Sequence, residues 1–443
     1  RVLNQWVSTG NLFEENDCSY ANNNCVEAWS PRNTWRRNKA NHGSYGFWLG
    51  ASDQNVLVEN EASYNGLSDG FHNSPHLPDA GHAGIVFMFG PSSHTVIRGN
   101  RCLGNNGAGI AAIGDLQTKG QKWRAFHWIV EQNTLADNRW GIYLRHVCMF
   151  DLAANRFERN LLANVERAEN TIGVVEHVDT AGITVPPRAK LAGPSVAHVG
   201  QLVAFDASES RDPNGRALTY RWQIGPDEAG SAPKMAHTFH AAGFYRVALT
   251  VNNGLLSDLA WRDFYVVEDL PELGTEEQAA DAEPRGWTWN DVGSKVAFAN
   301  DAATRLIGKG SLRAHVDPYS GGRVTLRFTL PGDSVGLTGK TRLVFWLKTR
   351  NENVPAWQDL NPLVAFIGPD GARLQLTPAR DFLSAPTDNE AREGWTYFAV
   401  PLAGSADWQP SGDKPSAVKS FEFGFDSWGA PPLTVWIDGL SLK

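Results

Sequence analysis

The sequence predicts an all-β chain: a right-handed parallel β-helix first, then two separate β-sandwiches. Asparagine carries the first clue, because Asn16, Asn38 and Asn60 lie 22 residues apart, as do Asn133 and Asn155. The second is that the phrases around these Asn residues, and around Asn100, are followed by Gly and a short apolar run. Examples are Gly46-Phe47-Trp48-Leu49, Gly109-Ile110-Ala111-Ala112 and Gly141-Ile142-Tyr143-Leu144. A period in the low twenties with short strands and no helical spacing marks stacked coils that share a core. Third, the beat fades after Asn170-Thr171-Ile172-Gly173, and alternating strands divided by Gly, Pro and Asp turns take over.

Within the coils, alternation assigns the faces. Cys18, Ala40, Ala62, Cys102, Leu135 and Phe157 each lie two residues after a key Asn and form an inward column. The Asn column fits a turn, where the amide bonds neighbouring backbone and the residue tolerates left-handed geometry. With Phe47, Ile85, Ile110 and Ile142 inward, Trp48, Val86, Met88, Ala111, Tyr143 and Arg145 face outward.

At 443 residues the chain has room for about three domains. We read a β-helix over 1–180, a linker over 181–194, a sandwich over 195–268, an acidic linker over 269–284 and a larger sandwich over 285–443. A net charge of -8 gives no footprint for nucleic acid, and no apolar run is long enough for a membrane span. Seventeen Trp and 24 Pro in a turn-rich chain fit a protein that stacks on sugars outside the cell, secreted or at the cell surface. The chain opens with Arg1 as if already inside a coil, so upstream coils are expected to be missing. The four Cys form no metal pattern, and Cys18 and Cys102 read as buried thiols.

The middle segment carries Asp212-Pro213-Asn214-Gly215, Tyr220-Arg221-Trp222 and Gly243-Phe244-Tyr245. Short strands between turn tetrapeptides make a small Ig-like sandwich, and these motifs closely resemble the polycystic-kidney-disease (PKD) domain. That resemblance implies a spacer between modules. In the last segment, alternating runs such as Arg342–Leu347, Thr396–Leu402 and Thr434–Leu440 indicate a jelly roll. Gly310–Arg313, Phe345-Trp346-Leu347-Lys348 and Trp436-Ile437-Asp438-Gly439-Leu440 resemble carbohydrate-binding jelly rolls. The resemblance implies glycan binding and a structural Ca2+ on an acid of the final strand, here Asp438. Trp357 and Trp428, in loop-like contexts, are candidates for stacking on sugar.

Chemistry is expected where the repeat breaks. Between Asn60 and Gly84 the coil carries roughly 16 extra residues by the repeat period. They include Asp69, His72, His76, Asp79 and His82. A second insertion after Gly109 holds Lys122, Trp123, Arg124 and His127. One insertion enters the Gly46/Gly84/Gly109/Gly141 sheet and the other leaves it, so the two should flank a groove over its outer face. Trp48, Asp79, His82 and Arg124 would bind substrate there. A zinc-like site on His72, His76, Asp79 and His82 competes for the same residues. The coils resemble the right-handed β-helix family of polysaccharide lyases, sugar hydrolases and C5-epimerases, with Asp69-Gly70-Phe71-His72 and Gly81-His82-Ala83-Gly84 as partial echoes of their motifs. The resemblance implies an enzyme that cleaves a polysaccharide, with a lyase favoured slightly over a hydrolase. β-Elimination on an acidic glycan would use His72 or His76 as base with Asp69 beside them, Arg145 or Lys122 to neutralise the uronate, and Tyr143 as acid. Hydrolysis would need two carboxylates, for which Asp69 and Asp79 are the loop pair. The other class is a non-catalytic glycan-binding or adhesion protein.

Overall fold

The computed structural model describes residues 9–50, 52–67, 81–88, 92–114, 125–179, 182–225, 227–270, 273, 284–290, 293–317, 323–351, 361–383, 394–425 and 432–443. Among these every regular element is a strand. The first segment is a coil with three parallel sheets. One runs from Leu12–Glu14 through Thr34–Arg36, Val56–Val58, Val96–Arg98, Ala125–Glu131 and Val147–Ala153 to Thr171–His177. A second stacks Val26–Ala28, Phe47–Gly50, Ile85–Met88, Ala108–Ile113, Trp140–Arg145 and Ala163–Arg167. The third is short: Arg101–Leu103, Thr134–Ala136 and Arg156–Glu158.

The Asn beat is a ladder. Asn16, Asn38, Asn60, Asn100, Asn133 and Asn155 stack in neighbouring coils, and from Asn38 on each Oδ1 accepts both the backbone N–H and the Nδ2–H of the Asn one coil earlier. Nδ2 also reaches a carbonyl of the preceding coil's strand, as Asn100 does to Leu57 O at 2.9 Å. A second ladder, Asn65–Asn105–Asn138–Asn160, holds the next corner in the same way. The left-handed residue is not the Asn, as the turn argument had it. It is the residue before: Arg37, Glu59, Gly99, Gln132 and Ala154 all have φ between 51° and 67°. That kink turns the following amide inward, where the ladder satisfies it. The inward column holds: Ala40, Ala62, Cys102 and Leu135 are fully buried in one core with Phe47, Ile85, Ile110 and Ile142, and Cys18 and Phe157 pack against it. All four Cys are free thiols.

Two sandwiches follow. In the PKD segment, Gly243–Asn252 lies between Thr219–Ile224 and Ser257–Val267, and Trp222, Phe205 and Phe264 fill the core. Asp212 Oδ1 accepts the amides of Asn214 and Arg216 while Oδ2 takes Asn253 Nδ2, so this acidic turn is held by its own loop. The segment read as a linker joins this sandwich, with Arg188 bridged to Arg211 and Ala192 to Asp206. The last segment packs a six-stranded sheet on a five-stranded one around Phe345, Phe366, Phe398, Phe421 and Phe423, a jelly-roll sandwich.

The PKD sandwich does not hang on a tether. Its sheet lies against the first face of the coil, and charged groups span the seam. Arg98 Nε pairs with Glu131 Oε1 at 2.7 Å and its Nη2 donates to Ser257 O at 2.8 Å, while Ser257 N donates to Glu131 Oε2 at 3.1 Å. Burial, opposed by Arg98, raises the Glu131 pKa. Arg221 pairs with Asp151, which also holds His177 at 3.0 Å, and Arg246 lies between Asp53 and Asp263. Once desolvated, such pairs tolerate no missing partner, so the seam is a fixed interface. The jelly roll in turn seats Trp346 and Trp395 on Tyr265 and Val267.

Candidate functional site

Register fixes the outer face of the six-stranded coil sheet. Glu27 pairs with Trp48, Trp48 with Val86, Val86 with Ala111, Ala111 with Tyr143 and Tyr143 with Glu166, so these six side chains form one outward row. The parallel row beside it contains Gly50, Met88, Ile113 and Arg145. The inward/outward assignment from alternation is therefore correct for every residue named.

What differs is exposure. Trp48 and Tyr143 are only 8% and 5% exposed, packed with Tyr45, Val86, Met88, Ala111, Ile113 and Trp140 in a second apolar cluster outside the coil's core. Tyr45 meets Trp48 edge-on at 4.6 Å and His82 at 4.9 Å, and Trp140 meets Tyr143 at 5.3 Å. Rings lining an outward face attract one another when water is kept off them. His82 is buried in this face, and its neighbour Gly66, at φ 70°, has no room for a Cβ beside the imidazole. Toward the last coil the face opens, with Arg145 and Glu166 half-buried. Tyr143, Arg145 and Glu166 thus come together on adjoining strands.

Asp69, His72, His76, Asp79, Lys122, Arg124, Trp357 and Trp428 lie outside the described residues. Of the second insertion's candidates, His127 is placed, and it lies at the seam with the PKD sandwich, away from this face: Nε2 is 2.6 Å from Thr250 Oγ1. The sequence reading missed Glu27 and Glu166. Extending the alternation one strand at each end, through Val26-Glu27-Ala28 and Asn164-Val165-Glu166, would have found both.

Asp438 is fully buried in the jelly roll. Its Oδ2 accepts the amides of Leu306 at 2.6 Å and Ile307 at 3.2 Å, which clips the loop 302–310 to the final strand. Oδ1 has no hydrogen-bond partner. Calcium takes six to eight oxygens, and no group of three His, Cys, Asp or Glu suited to a metal occurs among the described residues. Burial, opposed by the amides of Leu306 and Ile307, raises the Asp438 pKa to about 6. Because the folded pKa lies above the ordinary 3.8, this group favours the fold most below pH 4, and the benefit is lost as pH rises through 6. Asp438→Asn should remove that slope, worth on the order of 2–3 kcal/mol between those limits. Guanidinium unfolding at pH 4 and pH 7 checks it, and an unchanged pH difference in the variant would contradict the assignment.

Comparison with known proteins agrees with this architecture. Residues 5–172 match the family model described as the right handed beta helix region, and residues 184–257 match the PKD domain. The collagenase ColA of Clostridium perfringens is 34% identical over 87 residues, which is 19% of this chain and 8% of ColA. A microbial collagenase of Vibrio alginolyticus is 30% identical over 67 residues, 15% of this chain and 8% of the collagenase. The chain thus spans less than a tenth of the length of either. Among solved structures, the enzymatically active domain of bacteriophage CBA120 tailspike protein 2 is 12% identical with TM-score 0.26, covering 72% of this chain and 54% of that one. The family 11 carbohydrate-binding module of a Clostridium thermocellum cellulosomal cellulase is 11% identical with TM-score 0.24, covering 39% and 97%. At such scores the two structural likenesses bear no functional argument. The chain joins a right-handed β-helix region to a PKD domain, with a jelly-roll sandwich behind them.

Proposed function

We propose that this chain is a secreted or surface-displayed modular carbohydrate-active enzyme that cleaves an acidic polysaccharide on the outer face of the six-stranded coil sheet. The observation that carries the reading is the meeting of Tyr143, Arg145 and Glu166 at the open end of an aromatic-lined face. Arg145 is suited to a uronate carboxylate, which acidifies the proton at C5. The Tyr143 hydroxyl is suited to protonating the leaving oxygen. The base would be Glu166 or, from the insertion, His72 or His76 with Asp69, and Lys122 would share the neutralising role. Trp48, His82, Asp79 and Arg124 would bind the flanking sugars. Elimination is favoured over hydrolysis on the row itself, whose two carboxylates, Glu27 and Glu166, stand at its opposite ends. Five strand spacings put them roughly 24 Å apart, far beyond the 5–10 Å that paired hydrolytic carboxylates need, so that hydrolysis would fall to the loop pair Asp69 and Asp79.

The test is a polysaccharide panel read by absorbance of unsaturated products and by reducing ends. Tyr143→Phe should cut unsaturated product by about 10²–10⁴-fold while the thermal midpoint stays within a few degrees. Undiminished turnover in that variant would refute the role of Tyr143. Reducing ends without unsaturated product would make the chain a hydrolase, and no product from any substrate would leave glycan binding or adhesion as its activity.

A further inference from the structure

The outer face of the jelly roll's five-stranded sheet is divided between two uses. Along Ser311–Val316, Leu433–Leu442 and Arg342–Asn351 the alternate residues Leu312, Ala314, Val435, Ile437 and Leu347 fill the core. The residues between them point out. At one end these are Trp346 and its neighbours, covered by Tyr265 and Val267 of the PKD sandwich. At the other end register brings Arg313 and Lys348 to either side of Trp436, and His315 and Arg350 to either side of Thr434. Arg313, His315, Arg350, Thr434, Trp436 and Pro432 line a pocket there.

We propose that this pocket binds an anionic sugar, a uronate or sulfated residue of a polysaccharide chain. Its make-up is unusual for a chain of net charge -8: two Arg and one His line it, and Lys348 stands beside Trp436 on the adjoining strand. The nearby acid, Asp301, is already engaged, since Oδ2 accepts Trp436 Nε1 at 2.9 Å and Oδ1 accepts the amides of Ala303 and Thr304. That bond fixes the indole between the two cationic strands. Lys348 Nζ lies 5.8 Å from the ring centroid. Burial above all, then the nearby Arg350 guanidinium, lowers the Lys348 pKa. Strands about 4.8 Å apart set the two Arg columns roughly 10 Å apart, room for one sugar ring. Guanidinium forks match carboxylate and sulfate in two-point geometry, and the half-buried indole offers an apolar face to the ring. His315 Nδ1 is occupied by Thr434 Oγ1 at 2.9 Å, which leaves Nε2 for a sugar hydroxyl. This deepens the proposed function and rests on it: the module would hold the same acidic polymer that the coil face cleaves.

Affinity electrophoresis of the full chain through gels containing polygalacturonate, sulfated galactan or neutral dextran tests the assignment. Retardation by one or both polyanions and not by dextran is expected, and which polyanion acts decides between carboxylate and sulfate. In R313Q/R350Q the affinity should fall at least ten-fold with the thermal midpoint unchanged, because Arg313 is exposed and neither Arg belongs to the core. Undiminished retardation of the double variant would place binding elsewhere and overturn the pocket while leaving the carbohydrate reading intact. Retardation by dextran alone would do the same. No retardation by any polymer, together with no turnover of any, would overturn both.

Discussion

Replacing Asn100 by alanine lowers the stability of the coil by about 3–5 kcal/mol, more than most core truncations of similar size. The figure follows from what the amide serves. Oδ1 accepts both the backbone N–H and the side-chain N–H of Asn60 at 2.9 Å, and Nδ2 donates to Leu57 O and Asn133 Oδ1. All of this is buried, so alanine strands at least two polar groups without water. Each buried unsatisfied group costs about 1–3 kcal/mol, and a small void adds to it. Asn16→Ala is the control: it is exposed at the ladder's first described rung, where its Nδ2 bonds Glu14 O and Asn38 Oδ1. That variant should cost less than about 1 kcal/mol. Urea midpoints read by far-ultraviolet circular dichroism compare the two, and equal losses would show that the ladder is not what holds this corner.

The same ladder shows how far the sequence could be read. Its 22-residue beat is visible because each coil repeats one chemical need, a buried amide behind a left-handed kink. The position of the kink was misread by one residue, because Asn is the residue type most tolerant of that geometry while Glu59 and Gln132 are not obvious candidates for it. Inside and outside were legible on the six-stranded sheet, since period two fixes parity whatever lies beyond. Parity does not say what touches an outward residue, so the burial of Trp48 and Tyr143 was not legible, nor was the docking of the PKD sandwich. A hint was present: Ala125-Phe126-His127-Trp128-Ile129-Val130 is a nearly continuous apolar run, and the structure buries the strand Ala125–Glu131 at every position, as in a strand covered on both sides. The polar partners across that seam, Asp151 paired with Arg221 and Glu131 accepting the Ser257 amide, are 70 and 126 residues apart and belong to different modules. No periodicity links them. Glu166 was missed for the plainer reason that its strand follows the last strong Gly-apolar signal, Gly141-Ile142.

Acid should loosen the seam. His94 and His127 are both buried there, 4.8 Å apart ring to ring, with His127 against Thr250 of the PKD sandwich. Burial above all, and then His127 and Arg246, holds the His94 pKa well below its ordinary 6.5. For His127 burial, then Arg221, outweighs the pull of Asp151 and brings the pKa down to about 3. Both rings are therefore neutral in the folded chain while the unfolded chain takes up protons below 6.5. Their contribution is complete above that pH and is lost as pH falls toward 3, the opposite sign to Asp438. At pH 4.5 the gap amounts to about 2–3 kcal/mol for His127, and His94 acts in the same direction. Differential scanning calorimetry between pH 7.5 and 4.5 should show a steep fall of the coil–PKD transition in the parent chain and a shallower one in His94→Gln/His127→Gln. If the double histidine variant falls as steeply as the parent, the acid sensitivity lies in the carboxylate pairs of the seam rather than in these two rings.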